Sequence, residues 1–115
     1  MSDTPLADRH CTPLRGAEHC IRPGELGPAL ATLPGWSAIE DGAAIGRSYA
    51  FSDYYHTMAF VNALAYVAHR EDHHPDLGVH YNRCVVRFST HDCGGVTAND
   101  LICAAKADAL FAESK

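Results

Sequence analysis

Residues 52–75 read SDYYHTMAFVNALAYVAHREDHHP, and the architecture turns on this stretch. Ser52 or Asp53 can cap a helix, because a short polar side chain accepts from the unpaired N–H groups of a first turn. Tyr54, Met58, Val61, Ala65 and Ala68 recur at spacings of four and three, with Phe60, Leu64 and Val67 beside them. The spacing predicts a helix from residue 53 to 69 or 70. Its apolar arc is wider than one sheet face needs, so a second covered side, against another copy of the chain, is expected. Pro75 cannot continue the helix and biases His74 towards extended backbone. His73 and His74 therefore sit where a helix hands over to a strand.

On the N-terminal side, residues 1–20 mix polar residues, prolines, histidines and cysteines without period, which predicts a loosely ordered arm before a domain over 21–115. Leu26, Leu30 and Leu33 predict a helix over 23–33, with Pro23 in its first turn and Pro34-Gly35 after it. Trp36–Ile39 and Ile45–Phe51 read as strands joined by a turn at Asp41-Gly42. On the C-terminal side, Leu77–Tyr81 and Cys84–Thr90 read as two more strands, turning at Asn82-Arg83. Gly94-Gly95 break the chain, and Thr97 opens a last helix to about Glu113, with Asp100 placed as its capping-box partner. The order is helix, strand, strand, helix, strand, strand, helix. It predicts an α+β fold, a four-stranded antiparallel sheet with three helices packed on one face.

The bulk composition narrows the function. The 115 residues fit one domain with a thin core, a size at which oligomerisation often adds stability. A net charge of −5 argues against nucleic acid and against an anionic membrane surface as partners. No apolar run approaches the roughly 18 residues of a membrane span. The five cysteines are odd in number, form no C-x-x-C, and follow a start, MSDTPLADRH, without an apolar leader. Free thiols in a reducing cytoplasm are expected, and disulfides are not.

Chemistry concentrates in His69-Arg70-Glu71-Asp72-His73-His74-Pro75 and in Ser89-Thr90-His91-Asp92-Cys93. Four readings fit these residue types. A zinc site would want short Cys/His pairs, but the segment reads H-R-E-D-H, without the H-E-x-x-H order, and His10, Cys11, His19 and Cys20 match no familiar spacing. Cys93 could be a nucleophile, although buried inert cysteines are the commoner case. Each histidine alone could be a cap or a solvated residue. Lastly, several imidazoles can divide acid and base work near neutral pH without a metal, with Asp72 and Asp92 orienting them.

The set His69-x3-His73-His74-Pro75-x5-Tyr81-x9-His91-x8-Asp100 resembles the signature of the pterin-4a-carbinolamine dehydratases. The likeness extends through Leu33-Pro34-Gly35-Trp36, Phe51-x-Asp53 and Tyr81-Asn82-Arg83. That resemblance implies a metal-free enzyme without an organic cofactor. Its substrate would be a tetrahydropterin with a hydroxyl on C4a, produced by aromatic amino acid hydroxylases. Its products would be quinonoid dihydropterin and water. It implies His73, His74 and His91 as catalytic residues, and Asp72, His73, His74, Pro75, Ser89, Thr90, His91 and Asp92 as the pterin-binding set. A cytoplasmic homodimer or homotetramer would be expected. Two rivals follow from the same likeness: a non-catalytic dimerisation or scaffold protein, and a dehydratase of a molybdopterin-related pterin. Leu77, where relatives often carry an aromatic, and His69, where they often carry an acid, are departures. Cys11-Thr12-Pro13-Leu14 resembles bacterial extensions of no assigned role.

Overall fold

Asp53 caps the helix that organises the fold, its Oδ1 accepting from the His56 amide at 2.9 Å. The computed structural model describes residues 4–113. Its elements are α1 (Pro23–Leu30), β1 (Ser37–Ile39), β2 (Ala44–Ala50), α2 (Tyr54–Glu71), β3 (Asp76–His80), β4 (Arg83–Phe88) and α3 (Ala98–Glu113). The strands form one antiparallel sheet in the order β1-β2-β4-β3. Each predicted hairpin is present, and the β2–β4 pair joins them, with Ile45 opposite Phe88 and Tyr49 opposite Cys84.

Alternation along the two central strands sends Ile45, Tyr49, Cys84, Val86 and Phe88 to one face, where all are buried. Leu26 and Leu30 of α1, Phe60 and Leu64 of α2, and Leu101 and Ala104 of α3 share that cluster. The α+β architecture expected from the element order is the one observed. Ser48, Ala50, Arg83 and Val85, on the other face, are exposed.

Local differences have local causes. The first helix stops at Leu30 rather than Leu33, as the Ala31 amide bonds the Pro28 carbonyl and the Leu33 amide that of Leu30, in tighter three-residue turns. Leu33 is buried all the same, in the turn that follows. The β1–β2 turn has four residues, Glu40 to Ala43, of which Glu40, Asp41 and Gly42 are at positive φ. The buried line of α2 is Thr57, Phe60, Leu64 and Ala68, while Tyr54 and Ala65 from the expected stripe are exposed. Thr57 sets this rotation, its hydroxyl reaching the Tyr81 carbonyl at 3.0 Å.

Two polar clusters tie α3 to the rest. Asp108 Oδ1 accepts from Trp36 Nε1 (3.0 Å), Arg47 Nη1 (2.8 Å) and the Tyr49 hydroxyl (2.5 Å). Burial, together with the Asp108 carboxylate, holds the Tyr49 phenol well above its ordinary range. The other cluster involves the N-terminal segment. Lys106 Nζ donates to the Ala7 carbonyl (2.8 Å), and Glu71 accepts from the Cys11 amide (2.7 Å) and pairs with His10 (2.8 Å). Asn99 brackets Thr12, accepting from its amide at 3.1 Å and donating to its carbonyl at 2.7 Å.

The expectation of free thiols throughout is overturned. Cys20 and Cys93, 73 residues apart, form a disulfide, while Cys11, Cys84 and Cys103 remain thiols. The cause is the docked arm, because the Ile21 amide bonds the Val96 carbonyl at 2.7 Å and sets Cys20 against the 93–95 turn. Among the described residues, no helix is long and apolar enough to cross a membrane.

Asp108→Ala should leave three donors short of a partner and cost about 3 kcal/mol. The urea midpoint, followed through the single tryptophan Trp36, measures this. For Glu71, burial raises the carboxyl, but the Cys11 amide, His10 and Lys106 outweigh it and hold it below its ordinary value of 4.5. A carboxyl depressed in the folded state stabilises above that value and stops doing so as pH falls through the lower folded one. Amide exchange at Cys11 should therefore accelerate as pH drops below about 4.5, beyond the intrinsic trend, and Glu71→Gln should remove that step.

Candidate active site

The α2 C-terminus places two adjacent histidines in different environments. Asp72 adopts left-handed backbone (φ 51°, ψ 44°), its amide bonding the His69 carbonyl at 3.3 Å and the His73 amide reaching back to Ala68 at 3.2 Å. This is the Schellman closure usually made with glycine. A non-glycine residue there carries about 1–2 kcal/mol of backbone strain. The reversal turns His73 inwards, with its side chain 12% exposed, and leaves His74 exposed.

His73 meets Asp100, whose carboxylate is entirely buried. Asp100 Oδ1 is 2.5 Å from His73 Nε2, and Oδ2 accepts from the Thr90 hydroxyl (2.7 Å) and the Thr97 amide (2.9 Å). The capping box read from sequence is therefore present, with Thr97 Oγ1 accepting from the Asn99 amide at 3.2 Å. The same carboxylate also fixes an imidazole, a role the capping interpretation concealed. An ionised carboxylate only accepts, so Nε2 carries the proton and Nδ1 is the nitrogen left over. Phe88 stacks alongside the His73 ring, with centroids 5.9 Å apart and planes 11° apart.

The β4–α3 loop brings the second group of residues. Thr90 and Gly95 bridge its neck, with the Thr90 amide donating to the Gly95 carbonyl at 2.7 Å, so that His91 and Asp92 project from a short closed turn. Both are exposed. The disulfide from Cys93 to Cys20 backs this turn and removes Cys93 as a nucleophile. Ser89 and Thr90 commit their hydroxyl protons inside the protein, Ser89 to the Ala43 carbonyl at 2.9 Å and Thr90 to Asp100.

Asp72, His73 and His74 on one side and Ser89, Thr90, His91 and Asp92 on the other line one cleft of about 290 Å³. Pro75, expected among the contacts, does not line it. A second cleft of about 370 Å³ shares Asp72, His73, Thr90 and Asp92 with the first and is completed by Thr12–Arg15 of the arm, which sequence reasoning left without a role. Leu77 pairs with Val86 and packs on the core, and neither it nor His69 or Tyr81 lines either cleft. His10, Cys11, His19 and Cys20 are divided among separate partners, and no metal-binding group of three His, Cys, Asp or Glu occurs among the described residues.

Comparison with known proteins bears on this geometry. Residues 21–110 match the family model of pterin 4 alpha carbinolamine dehydratase. A protein of Xanthomonas campestris pv. campestris strain B100, provisionally named pterin-4-alpha-carbinolamine dehydratase, is 59% identical over 107 residues, 93% of this chain and 91% of its own. The crystal structure of a transcriptional coactivator/pterin dehydratase from Brucella melitensis superposes with a TM-score of 0.76 at 35% identity, covering 79% of this chain and 97% of that one. A pterin dehydratase-like protein described as a RuBisCO assembly factor in the alpha-carboxysome superposes with a TM-score of 0.59 over 67% of this chain and 89% of that one. At 22% identity, that last likeness speaks for the fold alone. On the family model and the close relative together, the chain belongs to the pterin-4-alpha-carbinolamine dehydratase family.

Proposed function

We propose that this chain dehydrates a 4a-hydroxytetrahydropterin to quinonoid dihydropterin and water, by histidine acid–base catalysis. The observation that carries the reading is the His73–Asp100 pair, which fixes one tautomer at the edge of a cleft shared with His74 and His91. The N5–H and C4a–O bonds break, a C4a=N5 double bond forms, and the hydroxyl leaves as water. His73 takes the N5 proton through Nδ1, and the Asp100 carboxylate stabilises the imidazolium that results. His74, which has no hydrogen-bond partner among the described residues, donates to the departing hydroxyl. His91 positions the pterin from the opposite wall and assists.

Asp72, Pro75, Ser89, Thr90 and Asp92 complete the binding set. Asp72 and Asp92, whose carboxylates have no partner among the described residues, accept from the pterin's N–H donors, and Ser89 and Thr90 serve as wall. Pro75 acts through the backbone, by stopping the helix after His74. No metal or organic cofactor enters this chemistry. The substrate must be supplied by a hydroxylase that leaves oxygen on C4a, which argues for a cytoplasmic role in pterin recycling. Tyr54, Tyr55 and Tyr66, exposed on α2, are the surface on which a homodimer or homotetramer would form. A purely scaffolding role explains the fold but gives no reason to bury a carboxylate against an active-site imidazole.

Replacing both His73 and His74 with alanine should lower dehydration by about 10²–10⁴-fold, the range for loss of general acid–base groups. Decay of the carbinolamine in an assay coupled to a phenylalanine hydroxylase measures this, and an undiminished rate would sink the assignment. Asp100→Asn keeps an acceptor for the Thr97 amide but presents an N–H to His73, favouring the wrong tautomer. The expected loss is in kcat, about 10²–10⁴-fold by analogy with a catalytic triad, with KM little moved. A rise in KM at constant kcat would mean that Asp100 only shapes the cleft.

A further inference from the structure

The five cysteines fall into a pattern that the dehydratase reading does not use. The arm carries two, Cys11 and Cys20, and each stands against one cysteine of the C-terminal part, Cys103 and Cys93. Cys20 and Cys93 are joined, whereas Cys11 and Cys103 are thiols with their sulfurs 3.5 Å apart. The fifth, Cys84, is buried on β4 opposite Tyr49 and Val79, with no cysteine across from it. We propose that Cys11 and Cys103 are an oxidation site, at which a hydroperoxide forms a second disulfide that clamps the arm beside the cleft. The proposal concerns the arm and holds whatever the cleft turns over.

The two sulfurs are opposed by contacts on both elements. Cys103 is 1% exposed and fixed by α3, one turn after Asn99. Cys11 meets it from irregular backbone and is half-buried. Glu71 accepts the Cys11 amide at 2.7 Å, and Asn99 brackets the next residue, Thr12. The Cys11 thiol also donates to the Asn99 carbonyl at 3.6 Å, so its side chain is already turned towards α3. A disulfide of about 2.05 Å requires the sulfurs to close by roughly 1.5 Å. Side-chain torsion at Cys11, together with a small shift of the arm, supplies that movement without disturbing the helix.

Exposure decides which sulfur reacts first. Cys11 is the one within reach of a small oxidant, because Cys103 is buried. The hydrogen bond with Cys11, and then burial, hold the Cys103 thiol well above the ordinary thiol range, so it keeps its proton at this stage. As a thiolate, Cys11 attacks one oxygen of hydrogen peroxide. The O–O bond breaks, the departing hydroxide is protonated to water, and Cys11 becomes a sulfenic acid. The Cys103 sulfur then attacks the Cys11 sulfur. Its proton passes to the leaving hydroxyl, and a second water departs. Two thiols are oxidised to one disulfide, and one peroxide takes up the two electrons.

The product joins residues 92 apart in sequence. Thr12–Arg15, one wall of the larger cleft, would then be fastened covalently at residue 11 as well as at residue 20.

Peptide mapping of the whole chain tests this. The protein is fully reduced, treated with hydrogen peroxide and alkylated. Digestion with trypsin and an aspartate-specific protease then puts each cysteine on its own peptide. We expect a linked Cys11–Cys103 pair beside the Cys20–Cys93 pair, with Cys84 alone alkylated. In the double variant Cys20→Ser, Cys93→Ser, the Cys11–Cys103 pair should form by itself. Oxidation of that double variant should slow amide exchange at Thr12 at least about tenfold, a modest part of what a cross-link gives. Adding Cys11→Ser should abolish the slowing, and Cys103→Ser should leave Cys11 as a sulfenic acid that a dione reagent traps. Cys11 and Cys103 both alkylated once the Cys20–Cys93 bond is complete would overturn the proposal. So would pairing of Cys11 with Cys20 or with a second chain. A linked pair with exchange at Thr12 unchanged would overturn the clamp.

Discussion

A fully buried carboxylate, Asp100, is the constraint on which the site depends. Burying an anion is tolerable only when its lone pairs are met by donors. Here the donors come from His73 beyond α2, from Thr90 beyond β4 and from the Thr97 amide at the start of α3. None can move without leaving the charge short of a partner. The start of α3, the neck of the His91 loop and the orientation of His73 are therefore one coupled arrangement. Position also favours the charge, since the first turn of a helix is where a carboxylate gains from the helix dipole.

The strained turn at Asp72 belongs to the same arrangement. A glycine there would close the helix at lower cost, but it would remove a carboxylate from the cleft. Strain of this kind persists where surrounding contacts overdetermine the backbone, and here the His73–Asp100 and His73–Phe88 contacts do so. Two consecutive imidazoles emerge with different properties, one inward and locked, the other exposed. That division of environment is what the proposed acid and base roles require of two identical side chains.

Much of this was legible before any coordinates. Periodicity and turn residues suffice for the element order and the sheet, because they report local burial. The spacing of His73, His74 and His91 identifies the groups that meet, although only the fold shows that they share a cleft. Asp100 was half legible: its place three residues after Thr97 explained it as a cap, and a sufficient local explanation concealed the long-range one. The arm was not legible at all. Its anchors are backbone amides and carbonyls answered by Glu71, Asn99 and Lys106 from 60 or more residues away, and such contacts leave no period and no motif. The disulfide was missed for the same reason, since Cys20 and Cys93 become neighbours only once the arm is docked.

That disulfide bears on how the arm should be understood in a reducing compartment. Closing a loop of about 73 residues restricts the unfolded chain, an effect worth roughly 4 kcal/mol on the chain-entropy account. Disulfides are rare in the cytoplasm, the compartment proposed for this chain. The two considerations conflict only if the arm depends on the bond for its place. It does not, because Asn99, Glu71 and Lys106 hold residues 7–12, and the Ile21–Val96 hydrogen bond sets residue 21, without it. Reduction would loosen the stretch around Cys20 and soften the turn that carries His91, while Thr12 stayed pinned beside the cleft. The wall is therefore a property of the polar contacts, and the disulfide tightens an arrangement that those contacts already specify.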